Sequence, residues 1–432
     1  MGFANQSTFN FNRKIIIAFL LFFASYVNAQ KPLSYLSTKL ANDNLISDLL
    51  QIKSDEFNTV LSNPKKYEIQ IIYTQINHKE NGKPELIQHQ YQLNPKQYFY
   101  PASLVKLPLS ALALEKCNQL NLPTNSSMIT LANHHCQKEV SVDSNSYNLK
   151  PSIANYVKKM MLVSDNDAYS RVYEFMGADA LKKRLVEIGL KNTDIIHRFA
   201  PSCNTNDNLY FNPIVFLNEN GDTIYKQAGS FSSKYVNYLY QSKTKGKAHY
   251  NARGKLVNKP KVFTQNNAMP LQEINDFLIG LLYPELVPDE IKLKINETDY
   301  RMLLKAMSQY PRESDFPHYY GNKFEDSYKK YLLLGNYHDS IKTDSLRIFN
   351  VVGQSYGWLS DCAYFVDHKN NIDFFLSAVI YVNANQVLND GRYEYKTIGF
   401  PFLTQLGRVI YDYERSRKRH IFGNFERFTN LH

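Results

Sequence analysis

Two signatures of metal and redox chemistry are missing from this sequence, which contains neither a C-x-x-C nor an H-E-x-x-H pattern. Cysteine is sparse. Cys117, Cys136, Cys203 and Cys362 allow three full pairings, and their spacing selects none of them. His134-His135-Cys136 gathers three possible ligands, but adjacent positions do not point at one metal ion. Neither metal nor other cofactor is therefore expected. No repeat and no low-complexity linker divides the 432 residues, so one large domain is the economical reading.

A hydrophobic share of 44% and a charged share of 21% are those of a globular chain with a full core. The 32 tyrosines and 26 phenylalanines are scattered through the chain rather than grouped as a stacking platform. No nucleic acid is expected as a partner. Arg13-Lys14, the apolar run Ile15 to Phe23 and the small-residue stretch Val27-Asn28-Ala29 follow one another as in a secretory signal peptide. That run is short for a membrane span. A signal peptide over 1–29, cleavage near Ala29 and an exported protein with no stable membrane span are expected, the alternative being an N-terminal anchor. The formal charge of +10 owes much to Arg415-Ser416-Arg417-Lys418-Arg419-His420, read as a basic tail over 415–432. Such a run suits an anionic surface, but more commonly is a solvated helix end.

Between these ends the pattern changes several times. Leu45, Ile46, Leu49, Ile52 and Leu61 sit at helical spacing over about 42–61. Tyr67 to Ile76 and Leu86 to Leu93 read as hairpin strands about Asn81-Gly82. Leu104, Leu107, Leu109, Leu112 and Leu114 make a helix apolar nearly all round, hence buried, with Pro108 awkwardly inside its start. Helices are expected over about 152–176, 178–188, 270–282, 299–309 and 400–413. Residues 200–262, rich in Asn, Ser, Tyr and Lys, read as an insertion containing a hairpin about Asn220-Gly221. Strands over about 347–352, 362–367 and 374–382 close the chain. Strands at both ends with helices between them imply an α+β fold whose antiparallel sheet draws on both termini.

The chemistry lies at the buried helix. Ser103 precedes Lys106 by three residues, which share a helix face, and burial there lowers the lysine pKa so that a neutral amine can serve as base. Ser-x-x-Lys recurs at Ser62–Lys65, Ser242–Lys245 and Ser327–Lys330, but in polar surroundings better suited to the surface. Ser164-Asp165-Asn166 occurs once and falls in a break between helices; these residue types also favour helix N-caps.

Together, in this order, the two motifs resemble those of the serine β-lactamase and penicillin-binding-protein superfamily, most closely the class A β-lactamases. The resemblance implies a five-stranded antiparallel sheet flanked by helices, beside an all-helical lobe, within a catalytic domain over 30–414. It implies Ser103 as acylated nucleophile, Lys106 as base, Ser164 as proton relay to the leaving nitrogen, and Asn166 as a hydrogen-bonding partner of the substrate amide. Two family motifs depart from pattern. Arg198-Phe199-Ala200-Pro201-Ser202-Cys203-Asn204 aligns with R-x-E-P-x-x-N, keeping Arg198 and Asn204 but placing alanine where the glutamate should be. General-base assistance of that kind is worth about 10²–10⁴-fold. In the strand motif K-[TS]-G, Val351 and Val352 replace lysine and hydroxyl, while Gly353 is kept. Lys243-Thr244-Lys245-Gly246 and Lys342-Thr343-Asp344 are polar decoys. The backbone N–H groups of Ser103 and Gln354 would form the oxyanion hole.

The sequence thus predicts an exported serine hydrolase that acylates on a β-lactam or peptide-like amide and releases slowly. The alternative is a non-catalytic or penicillin-binding-type protein that uses the same cleft to hold a wall fragment or a protein partner. The oligomeric state stays open.

Overall fold

The computed structural model describes residues 36–431 apart from 135–136, 200–205, 234–238, 241, 320, 322–323 and 336–344. The signal-peptide run, Cys136, Ala200, Cys203, Asn204 and Lys342 lie outside the described residues. Strand β1 is Lys39–Leu40, β2 Gln70–Asn77 and β3 Glu85–Tyr91; β4 (Ser127–Thr130), β5 (Ile214–Leu217) and β6 (Thr223–Gln227) lie elsewhere; β7 is Leu346–Ser355, β8 Trp358–Asp367 and β9 Ile372–Tyr381. The sheet runs in the order β1-β3-β2-β9-β8-β7, so both ends of the chain meet where β9 pairs antiparallel with β2. Five strands are antiparallel as expected; the sixth, β1, is a two-residue parallel edge against β3.

Every residue of β8 and β9 is buried, because both faces of the sheet are covered. Phe349, Val351, Tyr364 and Phe375 pack into one apolar core with the helical lobe, while Ile348, Phe365 and Phe374 pack into another. That second core includes helices α1 (Leu45–Ile52) and α2 (Ser54–Leu61), which Lys53 separates where one continuous helix was expected.

Helix α3, Lys106–Gln119, is buried almost all round, as its leucines imply. Pro108 falls in its first turn, where proline is tolerated. Helices α4 (Ile153–Val163), α5 (Asn166–Met176) and α6 (Ala178–Glu187) follow, then α7 (Leu271–Leu282) and α8 (Glu297–Ser308). Part of the 200–262 stretch is tied into the fold. β5 and β6 turn at Asn220-Gly221, where Gly221 has φ +89°, and β5 pairs with β4.

Helix α9 spans Phe400–Ser416, and the residues after it fold back. Arg415, Lys418 and His420 are exposed, as expected of a solvated basic end, but the other two cations of the run are not. Arg417 and Arg419 ion-pair with buried Glu414, and Phe428, in the short helix α10 (Glu426–Thr429), is fully buried. Among the described residues no helix is long and apolar enough to cross a membrane.

Candidate active site

A single turn of 3₁₀ helix, Ala102–Val105, carries Ser103 into α3. Ala102 holds φ +46°, a left-handed conformation that L-residues avoid unless their surroundings impose it. The turn also lies close against the sheet. A Cβ added at Gly353 would lie 2.4 Å from the Pro101 carbonyl oxygen and 2.6 Å from Ser360 Oγ. The missing side chain of Gly353 is therefore the space into which the Ser103 turn fits against β7.

Lys106, the first residue of α3, is completely buried. Its ammonium donates to the Ser164 carbonyl at 2.5 Å, to Ser164 Oγ at 3.0 Å and to Asn166 Oδ1 at 2.7 Å. Burial holds its pKa well below the usual lysine range, and the positive charge of Lys329 pushes the same way, against the pull of Asp165. The Phe199 ring lies 5.3 Å from the ammonium.

Ser164 and Asn166 reach that position because α4 stops and α5 starts between them. Ser164 ends α4 with φ +59°, and Asp165 caps α5 by accepting from the Ala168 N–H at 2.8 Å. The motif does both jobs weighed for it, helix cap and site. Ser103, Ser164, Asn166, Val352 and Gln354 line one cleft of about 500 Å³. The cleft thus brings Ser103, Ser164, Asn166 and Gln354 together, with Lys106 beneath them and Gly353 behind the nucleophile's turn. Among the described residues the Ser103 hydroxyl has no hydrogen-bond partner; the amine expected to act on it is docked on Ser164 and Asn166 instead.

The loop motif is anchored at its first residue. Arg198 Nε donates to Glu174 Oε1 at 2.8 Å in a buried ion pair, and Phe199 stacks on Tyr169 with ring centroids 4.0 Å apart. Of the two strand valines, Val352 lines the cleft and Val351 is buried in the core, so the strand presents no cation there.

The far wall was not foreseen. Ser327–Lys330, read above as a surface copy of the motif, is buried at both residues, and Ser327, Tyr328, Lys329 and Tyr331 line the cleft. Tyr331 Oη donates to Gln354 Oε1 at 3.3 Å. The only local signal for burial is the Tyr-Leu-Leu-Leu run after the two lysines. Cys117 and Cys362 are buried free thiols and form no disulfide.

Residues 53–227 match the family model of the beta-lactamase enzyme family. The resemblance read from Ser103, Lys106 and Ser164 is borne out by this match, which contains all three and ends well before β7. A comparison with curated proteins gives no match. Solved structures with a similar trace include a beta-lactamase from Sphaerobacter thermophilus, at 11% identity and a TM-score of 0.45, covering 87% of this chain and 99% of that one. PBP-A gives 14% identity and 0.49, with 88% and 100% covered. A beta lactamase from Xanthomonas campestris pv. campestris gives 12% and 0.45, with 85% and 98% covered. These are likenesses of trace alone; residue roles below rest on the cleft.

Proposed function

We propose that this β-lactamase-like chain is an active-site-serine hydrolase that cleaves an amide through an acyl-serine. The observation that carries this reading is a fully buried lysine whose three acceptors include the hydroxyl of Ser164, in a cleft shared with Ser103. A lysine amine buried at this depth loses its proton far more easily than a solvated one.

Proton bookkeeping then sets the route. A neutral amine keeps two N–H donors and gains one lone pair. The Ser164 carbonyl and Asn166 Oδ1 can only accept, so they retain the two N–H groups. The Ser164 hydroxyl can also donate, and turns its proton to the Lys106 lone pair. As Ser103 Oγ attacks the substrate carbonyl, its proton passes to Ser164 Oγ while Ser164 gives its own to Lys106. Collapse of the tetrahedral intermediate returns the proton along the same path to the leaving nitrogen. Backbone N–H groups of Ser103 and Gln354 are the proposed donors to the oxyanion.

Release is the weak step. The glutamate that would activate water is Ala200 by alignment, and the neighbouring Phe199 brings an apolar ring beside the lysine. A long-lived acyl-enzyme follows, on a β-lactam or on a peptide-like amide. The proposed setting is an exported one, on the strength of Arg13-Lys14, the apolar run and Val27-Asn28-Ala29.

A second reading, in which the cleft holds a wall fragment or protein partner without chemistry, is favoured by Val351 and Val352. Incubation with a fluorescent penicillin separates the two. The expected result is stable labelling of the wild-type protein and none of Ser103→Ala. A wild-type protein that never labels, or equal labelling of the variant, overturns the enzyme reading.

A further inference from the structure

Residues 325–335 form the wall of the cleft opposite the Ser103 turn, and two consecutive lysines fasten that wall in opposite directions. Lys330 turns to the sheet. Its ammonium donates to the carbonyls of Met307 and Ile348, each at 2.7 Å, and to Asn350 Oδ1 at 2.8 Å. Asn350 returns a bond to the Lys329 carbonyl at 2.6 Å and another to Asp361 Oδ1 at 2.8 Å. Lys329 turns to the helical lobe. Its ammonium donates to the Met161 carbonyl at 2.6 Å and the Met160 carbonyl at 3.4 Å. Tyr328 Oη adds a bond to the Val163 carbonyl at 3.4 Å.

Met160, Met161 and Val163 are the last turn of α4, whose carbonyls have no partner within the helix. A cation at that end is favoured by the helix dipole and satisfies the free carbonyls together. The next residue is Ser164, and the Ser164 carbonyl and hydroxyl are what Lys106 holds. One helix end is therefore gripped by two buried ammonium groups, Lys106 from α3 and Lys329 from the opposite wall. Lys329 itself has φ +62°, a conformation unfavourable for lysine that its side chain and carbonyl contacts retain.

We propose that Lys329 is a positioning residue of the acylation site: it caps the end of α4 that presents Ser164 and sets a second buried cation at the helix end that Lys106 holds. The consequence for catalysis rests on the acyl-transfer reading above; the pairing of two lysines does not. Two like charges in one dry site cannot both be held easily, and the first proton to leave comes off one of them. Burial pushes Lys329 down to about 7, against the pull of Asp361. Lys106 lies well below its ordinary range, with Lys329 among the causes and Asp165 opposing. Of the other charged groups, Lys330 points to Asn350 and the sheet and Asp326 ion-pairs with Arg312, while Glu325 and Lys396 line the same cleft.

The test is to follow lysine side-chain resonances of the full chain by NMR in ¹³C-lysine-labelled protein, with Lys106 identified from Lys106→Met. In Lys329→Met, Lys106 should titrate about one pH unit higher, a tenfold change in free amine at a given pH below its pKa. Lys329→Arg should leave it near the wild-type value. Lys330→Met removes an equally buried lysine from the same segment and should leave Lys106 unmoved. Unchanged titration in Lys329→Met overturns the proposal, as does an equal shift in Lys330→Met. Should a variant fail to fold, the wild-type curve decides: the Lys106 resonance must show a second inflection as Lys329 titrates, and a single inflection overturns the proposal. None of these readouts needs turnover. A protein that passes them but never labels at Ser103 loses the acyl-transfer reading and keeps the lysine pair; one that labels but fails them does the reverse.

Discussion

Of the three acceptors around the Lys106 ammonium, only the Ser164 hydroxyl can reverse its hydrogen bond when the lysine becomes neutral. This makes Ser164 more than a substrate contact. Without it, the lone pair of Lys106 has no proton to collect along the proposed route, which runs from Ser103 to the amine through the Ser164 hydroxyl. Ser164→Ala should slow acylation of Ser103 by about 10²–10⁴-fold, the range for removing general acid–base assistance. The loss to the fold should be small, because the Ser164 carbonyl still accepts from Lys106 and Asp165 still caps α5. Stopped-flow labelling beside a melting curve checks both. A variant that labels at the wild-type rate would show that Lys106 reaches Ser103 directly.

At the scale of elements, the cleft depends on how closely the Ser103 turn lies on β7. That approach is set by one absent side chain. A methyl at Gly353 would need to displace the Pro101 carbonyl or the Ser360 hydroxyl, and the carbonyl belongs to the strained turn before Ser103. Gly353→Ala should cost about 1–3 kcal/mol of stability, as overpacking does. It should also slow labelling at least about tenfold, since small misplacements of a reacting group are costly. A stable variant that labels normally would separate the turn from the strand. The long elements were readable because burial shapes their composition and spacing: β2, β3, β7, β8 and β9, and helices α3 to α8, lie close to their predicted places. Ser103, Lys106 and Ser164 were readable because their spacing carries chemistry. The 325–335 wall was not, because Lys329 and Lys330 are held by carbonyls from α4, α8 and β7, and no local pattern records partners that distant. The docking of Arg417 and Arg419 on Glu414, and of Phe425 and Phe428 in a remote core, escaped the sequence for the same reason.

Across the whole molecule, these buried lysines tie folding stability to pH. An unfolded lysine titrates near pH 10.4, whereas burial holds Lys329 and Lys330 at about 7 and Lys116 at about 8. Between about pH 7 and those unfolded values the denatured chain binds more protons than the native one. Stability therefore rises with pH, at up to about 1.4 kcal/mol per unit for each lysine fully in that state. The thiols work in the opposite sense. Burial raises Cys117 to about 12 and pushes Cys362 up as well, so above their ordinary thiol range the native state holds the extra protons and the gain is offset. Below pH 7, Asp361 at about 7 gives the native state an additional proton and reverses the slope contributed by this cluster. The clean window is thus pH 7 to about 8.5. Unfolding free energies should climb through it by several kcal/mol in all, about 1.4 kcal/mol per unit for each lysine, and Lys330→Met should climb less, because it has removed one of the titrating groups. Unfolding curves at pH 7.0, 7.75 and 8.5 measure this. A midpoint that falls with pH, or a Lys330→Met slope equal to the wild type, would mean that these lysines keep their protons on folding, and that the cleft wall they fasten is wetter than its packing implies.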